Sequence, residues 1–248
     1  MSNINDSFFD GHYKEIWKNV IPEELTTKEV AFMIPYFNLG EQSKVLDMMC
    51  GYGRHALALG RKGIAVTAID NQASYIDEIN TAAKKENLPV TGINNSIQSF
   101  TPQEKFDLAI CMGNSLQFFD RKNLVEILST VSGCMKPGGQ LLINSWSIAE
   151  IIFRNFKDKA NNKIGDLEFE VESRFETLPS RIEVRSKIIS ADGGIEERNS
   201  VDYIYSINEM ASIFNDAGFI LKEVYSIPGR KKFTLGEPRA YFVASLLK

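Results

Sequence analysis

Between Lys44 and Asn144 the sequence alternates short apolar segments with longer amphipathic ones, and this alternation constrains the fold more than any other feature. The apolar segments have the length and β-branched content of buried strands, and the segments between them carry apolar residues at helical spacing. A helix that connects two strands returns the chain to the same end of a sheet, so the strands run parallel. The sequence therefore predicts an α/β fold with a mostly parallel sheet that helices cover on both faces.

The predicted strands of this region are followed, with one exception, by a predicted helix. In chain order the strands are KVLDMM, IAVTAID, PVTGIN, FDLAICMG and KPGGQLLINSW, the last of which starts with a turn. The helices are RHALALGRKG, ASYIDEINTAAKKEN and DRKNLVEILSTVSGCM. Gly63 can end the first helix, and Asp120 can cap the third.

The pattern changes after Trp146. A helix is expected in IAEIIFRNFKDKA, and three segments then alternate in the manner of antiparallel strands. These segments are LEFEVESRFE, RIEVRSKIIS and EERNSVDYIYS. The tripeptide Asp192-Gly193-Gly194 predicts a hairpin turn between the last two.

The rest of the chain predicts a helical cap before the sheet and a return to the sheet after the insertion. SINEMASIFNDAGF carries Ser206 and Glu209 at capping-box spacing, and ILKEVYSI and RAYFVASLL can add a final antiparallel pair. We expect three parts, which are a helical cap over residues 1–40, a core over 41–158 and 206–248, and an antiparallel insertion over 159–205. The insertion is expected to cover the substrate or to pair two subunits as a homodimer.

Composition and charge narrow the classes of function. A net charge of −4 over 248 residues leaves no broad basic face, so nucleic acid is not an expected partner. The three dispersed cysteines are typical of a reducing compartment, and with two histidines they predict no metal site. No secretory pattern begins the chain, and no apolar run approaches the roughly 20 residues of a membrane helix. We expect a cytoplasmic protein without a membrane segment.

The run VLDMMCGYGRHALALG, residues 45–60, predicts a ligand loop at the carboxyl end of the first strand. Gly51-x-Gly53-x-x-Ala56 formally matches a dinucleotide fingerprint. In that fold the first glycine follows the strand directly, whereas here Asp47 ends the strand and MMC precedes Gly51. The charge of Asp47 disfavours a pyrophosphate. It favours an amino-acid moiety whose carboxylate binds backbone N–H groups and whose ammonium lies near the acid.

Asp70 ends the second strand, seventeen residues after Gly53. A carboxylate at that place can accept hydrogen bonds from the 2′- and 3′-hydroxyls of a ribose. The alternative is a cap for the helix that follows. Beside the glycine loop, the ribose interpretation is favoured, and the two features together fit an adenosine with an amino-acid tail.

These motifs make the sequence similar to the class I S-adenosylmethionine-dependent methyltransferases. VLDMMCGYGRHALALG resembles their first motif, VTAID the second, FDLAICMGNSLQFF the fourth-strand motif, and MKPGGQLLIN the turn before strand five. The resemblance runs from about Lys44 to Asn144 and includes AGFILKEVYS near the end. It implies a Rossmann-like, seven-stranded methyltransferase sheet with helices on both faces, and S-adenosyl-L-methionine as the cofactor.

The resemblance also implies which residues bind the cofactor. They are Tyr13, Asp47, Cys50, Gly51, Gly53, Asp70, Asn71, Ser96, Ile97, Cys111 and Met112. The family commonly has an acid after strand three that binds the adenine amino group, whereas this sequence has Asn95 or Ser96 there. Both side chains can accept a hydrogen bond, so cofactor binding is still expected.

The layout further resembles glycine N-methyltransferase and the N,N-dimethyltransferases of nucleotide-linked amino sugars, which implies methyl transfer to a nitrogen or oxygen of a small molecule. Such an in-line displacement needs mainly proximity and orientation. The expected acceptor contacts are Asn114, Ser115 and Trp146, and the catalytic candidates are His12, Tyr13 and Asn114. Loop hydrogen bonding is the alternative for Asn114 and Ser115, and packing or loop orientation is the favoured role of His55.

Two other functions are compatible with the motifs. The first is an RNA or protein methyltransferase, which the acidic balance disfavours. The Asn/Asp-Pro-Pro-Tyr/Phe motif common where planar nitrogens are methylated is also absent, since CMGNSL stands in its place. The second is a regulatory protein that binds the cofactor without catalysis, because no obvious base is present.

Overall fold

The computed structural model describes residues 3–9 and 11–247, which contain two sheets, seven α-helices and two short 3-10 helices. The main sheet consists of β1 (Lys44–Met48), β2 (Ala65–Asp70), β3 (Val90–Asn94), β4 (Phe106–Cys111), β5 (Met135–Ser145), β10 (Phe219–Ile227), β11 (Lys231–Lys232) and β12 (Ala240–Leu246). The second sheet consists of β6 (Lys159–Ile164), β7 (Leu167–Thr177), β8 (Ser180–Ile189) and β9 (Ile195–Tyr203).

Five strands of the main sheet run parallel in the order β3-β2-β1-β4-β5, and β12, β10 and β11 continue it beyond β5 as antiparallel neighbours. This arrangement confirms the predicted α/β, Rossmann-like sheet and its final antiparallel pair. The sequence predicts seven strands, and the additional one, β11, has two residues at the sheet edge. The strand order reverses between β1 and β4, which opens a crevice at their carboxyl ends.

Helices cover both faces of the main sheet, as the sequence predicts. The α-helices of the described residues are α1 (Tyr13–Val20), α2 (Glu23–Tyr36), α3 (Arg54–Gly60), α4 (Ala73–Glu86), α5 (Arg121–Gly133), α6 (Ala149–Asn155) and α7 (Ile207–Asp216), of which α1 packs against the second sheet instead. An apolar cluster that includes Met33, Leu59 and Ile79 packs α2, α3 and α4 on one face. A second cluster packs α5 and α7 on the other, through Leu128 and Phe214 among others. Within residues 3–9 and 11–247, no helix has the length and apolar character needed to cross a membrane.

The helix caps form where the sequence places them. The Asp120 carboxylate accepts the backbone N–H of Asn123 at 2.9 Å and caps α5. Ser206 and Glu209 form the reciprocal capping box of α7. These contacts fix the starts of the two helices that pack on the same face of the sheet.

Two boundaries differ from the expectation. The predicted helix IAEIIFRNFKDKA ends at Asn155, because the residues that follow enter β6. The predicted turn before strand five lies inside β5, where Gly138 has a φ of 79° and the β4–β5 register is irregular. In both places a local sequence signal is overridden by strand pairing.

The second sheet is antiparallel in the order β6-β7-β8-β9 and contains the three strands predicted for the insertion. The tripeptide at 192–194 makes the β8–β9 turn, in which the Gly193 N–H donates to the Ser190 carbonyl at 2.9 Å. The fourth strand, β6, is exposed at five of its six positions, so its sequence KANNKI shows no apolar alternation. The boundaries of the three expected parts remain a prediction.

Gly53, at the start of α3, is required for close packing as well as for backbone conformation. Its φ is 75°, and a Cβ there would lie 2.5 Å from Ile79 Cγ1. Gly53→Ala is expected to lower the free energy of unfolding by about 2–3 kcal/mol, through left-handed strain and overpacking. Urea unfolding measures the difference. Gly133→Ala is the control, because its Cβ meets nothing within 4 Å. Equal stability of the two variants would contradict the packing argument.

Candidate active site

The loop between β1 and α3 lies in the crevice where the strand order reverses. Its backbone is left-handed at Met49, Gly51 and Gly53, with φ values of 51°, 54° and 75°. A Cβ on Gly51 would meet nothing within 4 Å, so the backbone at this residue faces open space. Loops of this form allow a ligand to approach backbone N–H groups closely.

The Asp70 carboxylate, at the carboxyl end of β2, hydrogen-bonds both to the glycine loop and to the residues that follow β2. Its Oδ2 accepts the Gly51 N–H at 2.8 Å, and its Oδ1 accepts the Gln72 N–H at 3.0 Å. Burial raises the pKa of Asp70, and these backbone donors act in the opposite direction. Asp70 therefore supports the start of α4, and it also lines a narrow cavity beside the loop; its contact with a ribose remains a prediction. Its remaining lone pairs can accept ligand hydroxyls.

A narrow cavity of about 90 Å³ lies beside Asp70. Its lining includes Gly51, Asp70, Asn71, Ser96 and Ile97. The N-terminal segment lines one side of it, through Asn3, Asn5, Asp6 and Phe9. The Asn71 side chain donates to Asp6 Oδ1 at 2.8 Å, and Asn5 Nδ2 donates to the carbonyls of Phe118 and Val201 at 3.2 Å and 3.1 Å.

A wider cavity of about 350 Å³ continues from the glycine loop toward the second sheet. The two cavities share Phe9, Met49, Gly51, Tyr75, Ser115 and Phe118. Nine of the 24 residues that line the wide cavity are phenylalanine, tyrosine or tryptophan, and the Trp17 and Trp146 rings stack there with centroids 5.6 Å apart. The Arg239 guanidinium lies 5.7 Å from the centre of the Trp146 ring, at cation–π distance.

Most of the residues expected at the site line one of these cavities. They are Tyr13, Cys50, Gly51, Asp70, Asn71, Ser96, Ile97, Met112, Asn114, Ser115 and Trp146. Asp47, Gly53, Cys111 and His12 do not belong to either lining. The structure thus brings together residues from strand ends, from the cap and from the loop after β4.

Asp47 lies buried beneath the glycine loop and lines neither cavity, so its expected place near a bound ligand remains a prediction. Its carboxylate is almost fully buried and is held by the backbone N–H of Ala56, in α3. Burial raises the pKa of Asp47 to about 7, against the opposing effect of the Arg54 charge. Its Oδ2 has no hydrogen-bond partner within the described residues. The Asp47 carboxylate therefore contacts the start of α3 directly, and the glycine loop separates it from both cavities.

Gly53 and Cys111 lie behind the residues that line the two cavities. The Gly53 N–H donates to the Cys50 carbonyl at 3.1 Å, and its α-carbon faces Ile79. Cys111, at the end of β4, is fully buried, and burial raises the pKa of its thiol. Both residues lie outside the two linings, and their contact with a ligand remains a prediction.

His12 is outside the cavities because its ring turns toward the second sheet. Its Nδ1 lies 2.5 Å from Glu196 Oε1, in β9. Arg198 contacts the same carboxylate at 3.2 Å. His12 thus joins the cap to the insertion, and its role as a catalytic candidate remains a prediction.

Asn114 has a left-handed φ of 71° and a fully engaged amide. Its Oδ1 accepts the hydroxyl of Ser145 and the N–H groups of Trp146 and Ser147 at 2.8–3.1 Å. Its Nδ2 donates to Ser147 Oγ at 2.9 Å and to Asp202 Oδ2 at 3.2 Å. These bonds match the loop interpretation of Asn114 and leave no group on its amide free for proton transfer.

Asp202, in β9, is the acid at this site that sequence reasoning missed. It lines the wide cavity, and its Oδ2 also accepts Ser147 Oγ at 2.8 Å. Burial raises the pKa of Asp202 to about 6, although the hydrogen bonds from Ser147 and Asn114 lower it. In the sequence it is one of several acids in EERNSVDYIYS, and only the pairing of β9 distinguishes it.

A buried ion cluster holds α2 against the glycine-loop helix. Glu29 Oε2 lies 2.7 Å from Arg54 Nη1 and 2.8 Å from His55 Nε2, and the Tyr241 hydroxyl donates to Oε1 at 2.7 Å. Burial raises the pKa of Glu29, but these three partners outweigh it and bring the value to about 2. Burial and the Arg54 charge lower the pKa of His55, so the neutral ring donates its Nε2–H to Glu29. This contact fits the loop-orientation role favoured for His55.

Comparison with known proteins gives one family match. Residues 45–139 match the family described as a methyltransferase domain. The ubiquinone biosynthesis O-methyltransferase of Rickettsia felis is 28% identical over 111 residues, which are 44% of this chain and 44% of that protein. The chain therefore spans less than half the length of this curated relative.

Two solved structures have the same fold over nearly the whole chain. The CcbJ methyltransferase of Streptomyces caelestis has a TM-score of 0.82 and 14% identity, with 100% of this chain and 99% of that chain covered. An amino pentose methyltransferase of Micromonospora echinaspora, involved in calicheamicin biosynthesis, has a TM-score of 0.70 and 15% identity, with 96% and 97% covered.

Proposed function

We propose that the chain, of which residues 45–139 match a methyltransferase domain, is a class I S-adenosylmethionine-dependent methyltransferase that transfers a methyl group to a nitrogen or oxygen of a small molecule. The observation that carries the proposal is the continuity of the two cavities across the glycine loop. One cavity begins at Asp70, where a ribose would bind, and the other ends at the aromatic walls around Trp146. A donor and an acceptor can therefore meet at Gly51.

The residues present fit the donor. The backbone at Gly51 faces open space, and Asp70 has lone pairs for the ribose hydroxyls. Ile97 supplies an apolar wall for the adenine, with the neutral Ser96 beside it. Tyr13, in the wide cavity, offers a ring face to a sulfonium, which gains cation–π attraction.

The chain's part in catalysis is alignment and exclusion of water. When bound, S-adenosylmethionine supplies the methyl group: the acceptor's lone pair bonds to the methyl carbon as the C–S bond breaks and its electron pair passes to sulfur. The aromatic walls remove water from the acceptor, and the glycine loop sets the place of the donor.

The form of the cavity favours a small acceptor. The cap and the second sheet wall it in, and its volume of about 350 Å³ suits a metabolite. A net charge of −4 adds no attraction for RNA. The amino pentose methyltransferase among the similar structures supports the same class of acceptor. A homodimer contact through the insertion remains a prediction.

Calorimetry and turnover test the proposal together. S-adenosylmethionine and S-adenosylhomocysteine are each expected to bind with one site per chain. Labelled methyl groups are then expected to pass to at least one compound in a panel of amines, alcohols and phenols. Failure to bind either nucleoside would contradict the proposal. Binding without transfer to any small molecule, but with transfer to RNA or protein, would support the other acceptor classes, and binding without any transfer would support a regulatory protein.

A further inference from the structure

The wide cavity contains one acidic side chain among the described residues that line it, and this is Asp202. Its Oδ2 accepts two hydrogen bonds, from Ser147 and from Asn114. Its Oδ1 accepts none from the part of the chain that the structure describes, and no lysine or arginine there forms an ion pair with it. A buried carboxylate without an ion-pair partner is costly, so a cationic ligand that contacts Oδ1 would be stabilised there.

The hydrogen bonds behind Asp202 fix its orientation. The Asn114 amide cannot rotate by about 180° to exchange its oxygen and nitrogen, because its Oδ1 already accepts two backbone N–H groups of the loop after β5. Its Nδ2 must therefore face Ser147 and Asp202. Both donors bind the same oxygen of Asp202, which leaves the other oxygen available to the cavity.

We propose that Asp202 binds the amine of the acceptor and takes the proton that the nitrogen loses before methyl transfer, with Asn114 and Ser147 as positioning residues. The acceptor is then an amine with a planar or apolar body that packs against Trp17, Trp146 and the neighbouring phenylalanines. This inference rests on the proposed function, since it assigns the acceptor end of the same site.

Asp202 alone accounts for the proton that the acceptor nitrogen loses. An ammonium N–H gives its proton to Asp202 Oδ1, which leaves a neutral amine with a lone pair for the transfer described above. The product carries its positive charge on the methylated nitrogen. Asp202 releases the proton to water as the product leaves, so the carboxylate is regenerated for the next cycle.

The ionisation of Asp202 predicts a lower pH limit for amine binding and methyl transfer. Because the pKa of Asp202 is raised to about 6, its charged form is complete by about pH 7 and is lost as the pH falls through 6. Tyr13 interacts electrostatically with Asp202, and burial raises its pKa, so it stays neutral in this range. The other ionisable side chains of the wide cavity are Cys50, Tyr52, Arg54, His55, Tyr75 and Arg239. Asp47, whose pKa is about 7, lies beneath the loop.

Fluorescence tests amine binding without a known acceptor, because both tryptophans of the chain line the wide cavity. Phenethylamine and 2-phenylethanol are the probes, since they differ mainly in the ammonium group. At pH 7.5 the amine is expected to bind at least 10-fold more tightly than the alcohol. The preference is expected to disappear at pH 5 and in Asp202→Asn. Equal binding of the two probes to the native protein, or an unchanged preference in the variant, would overturn the proposal.

Turnover and stability separate a catalytic Asp202 from a structural one. With any amine that the native protein methylates, Asp202→Asn is expected to lower kcat/KM at least 100-fold, while Asp166→Asn, an exposed change in the β6–β7 turn, leaves it unaltered. Burial of the charge destabilises the fold, so Asp202→Asn is expected to raise the unfolding temperature at pH 8 and to change it little at pH 4. Native turnover in Asp202→Asn would overturn the proposal, as would a lower unfolding temperature at pH 8 with binding unchanged.

Ser147→Ala tests the positioning role. Loss of its hydrogen bond removes stabilisation of the charged carboxylate, so the acidic limb of kcat/KM is expected to move to higher pH. The Asp47 titration is common to both proteins and cannot produce the difference. If the acidic limb of kcat/KM stays at the same pH in Ser147→Ala, the assignment of Ser147 as a positioning residue is overturned. Absence of S-adenosylmethionine binding would instead contradict the proposed function, and the amine preference is measured without that cofactor.

Discussion

Replacement of Glu29 by glutamine is expected to lower the free energy of unfolding by about 3–5 kcal/mol, because it leaves a buried arginine without its anion. The side chain of Glu29 is 2% exposed and that of Arg54 is 13% exposed, so water cannot replace the lost partner. The amide would also present a donor to groups that already donate, the His55 Nε2–H and the Tyr241 hydroxyl. The helix α2 would thereby lose its main polar attachment to the glycine-loop helix.

The contribution of Glu29 has a defined pH dependence. Its pKa is about 2 in the folded protein, compared with 4.5 in an unfolded chain. The charged form is therefore favoured by folding, and its stabilisation of about 3 kcal/mol is complete above pH 5. It is lost as the pH falls through the range between these two values. Native and Glu29→Gln proteins should thus converge in stability toward pH 2.

Urea unfolding at pH 7.5 measures the Glu29 effect. Glu24→Gln is the matched control, since Glu24 is an exposed acid on the same helix and its loss should cost less than about 1 kcal/mol. If Glu29→Gln unfolds at the same urea concentration as the control, the ion cluster does not hold the cap. A second readout is protection of α2 amides from hydrogen exchange, which should fall in Glu29→Gln alone.

Replacement of Asp70 by alanine is expected to weaken S-adenosylmethionine binding at least 100-fold. Hydrogen bonds to a charged acceptor contribute about 1.5–3 kcal/mol each, and Asp70 would lose those to both ribose hydroxyls. The Gly51 N–H would also lose its acceptor, so the loop would no longer be held in its binding form. The effect should appear in the dissociation constant from calorimetry.

Two variants keep the Asp70 test interpretable. Asp70→Asn retains an oxygen that can accept one backbone N–H, so it should fold normally and bind with an intermediate loss of affinity. Asp77→Asn changes an exposed acid of α4 and should bind like the native protein. Equal affinity of Asp70→Ala and the native protein would contradict the ribose assignment. If Asp70→Ala does not fold, the affinity of Asp70→Asn for S-adenosylmethionine decides the test.

The cofactor end of the site was more predictable than the acceptor end, and the reason is physical. Gly51 and Asp70 are set by local rules, since a left-handed turn favours glycine and the carboxyl ends of parallel strands meet in one crevice. Asp47 shows the limit of such rules, because its position in the motif does not tell on which side of the loop its carboxylate lies. Burial beneath the loop decides that point.

The acceptor end depends on long-range pairing. Asp202 reaches the cavity only because β9 is paired to β8 and packed beside the loop after β4, and no local pattern in the sequence contains that contact. Asn114 was predicted with two roles, and the choice between them required the bonds to residues more than thirty positions away. The strand β6 was missed because five of its six residues are exposed, so its sequence shows no alternation of buried apolar and exposed polar residues.

The N-terminal segment links the donor's side of the candidate site to the second sheet. Asn5 donates to the carbonyls of Phe118 and Val201, and Asp6 accepts the Asn71 side chain beside Asp70. One short segment is therefore bonded to the loop after β4, to β9 and to the residue that follows β2. Because β9 also carries Asp202, this segment connects the donor end of the candidate site to its acceptor end.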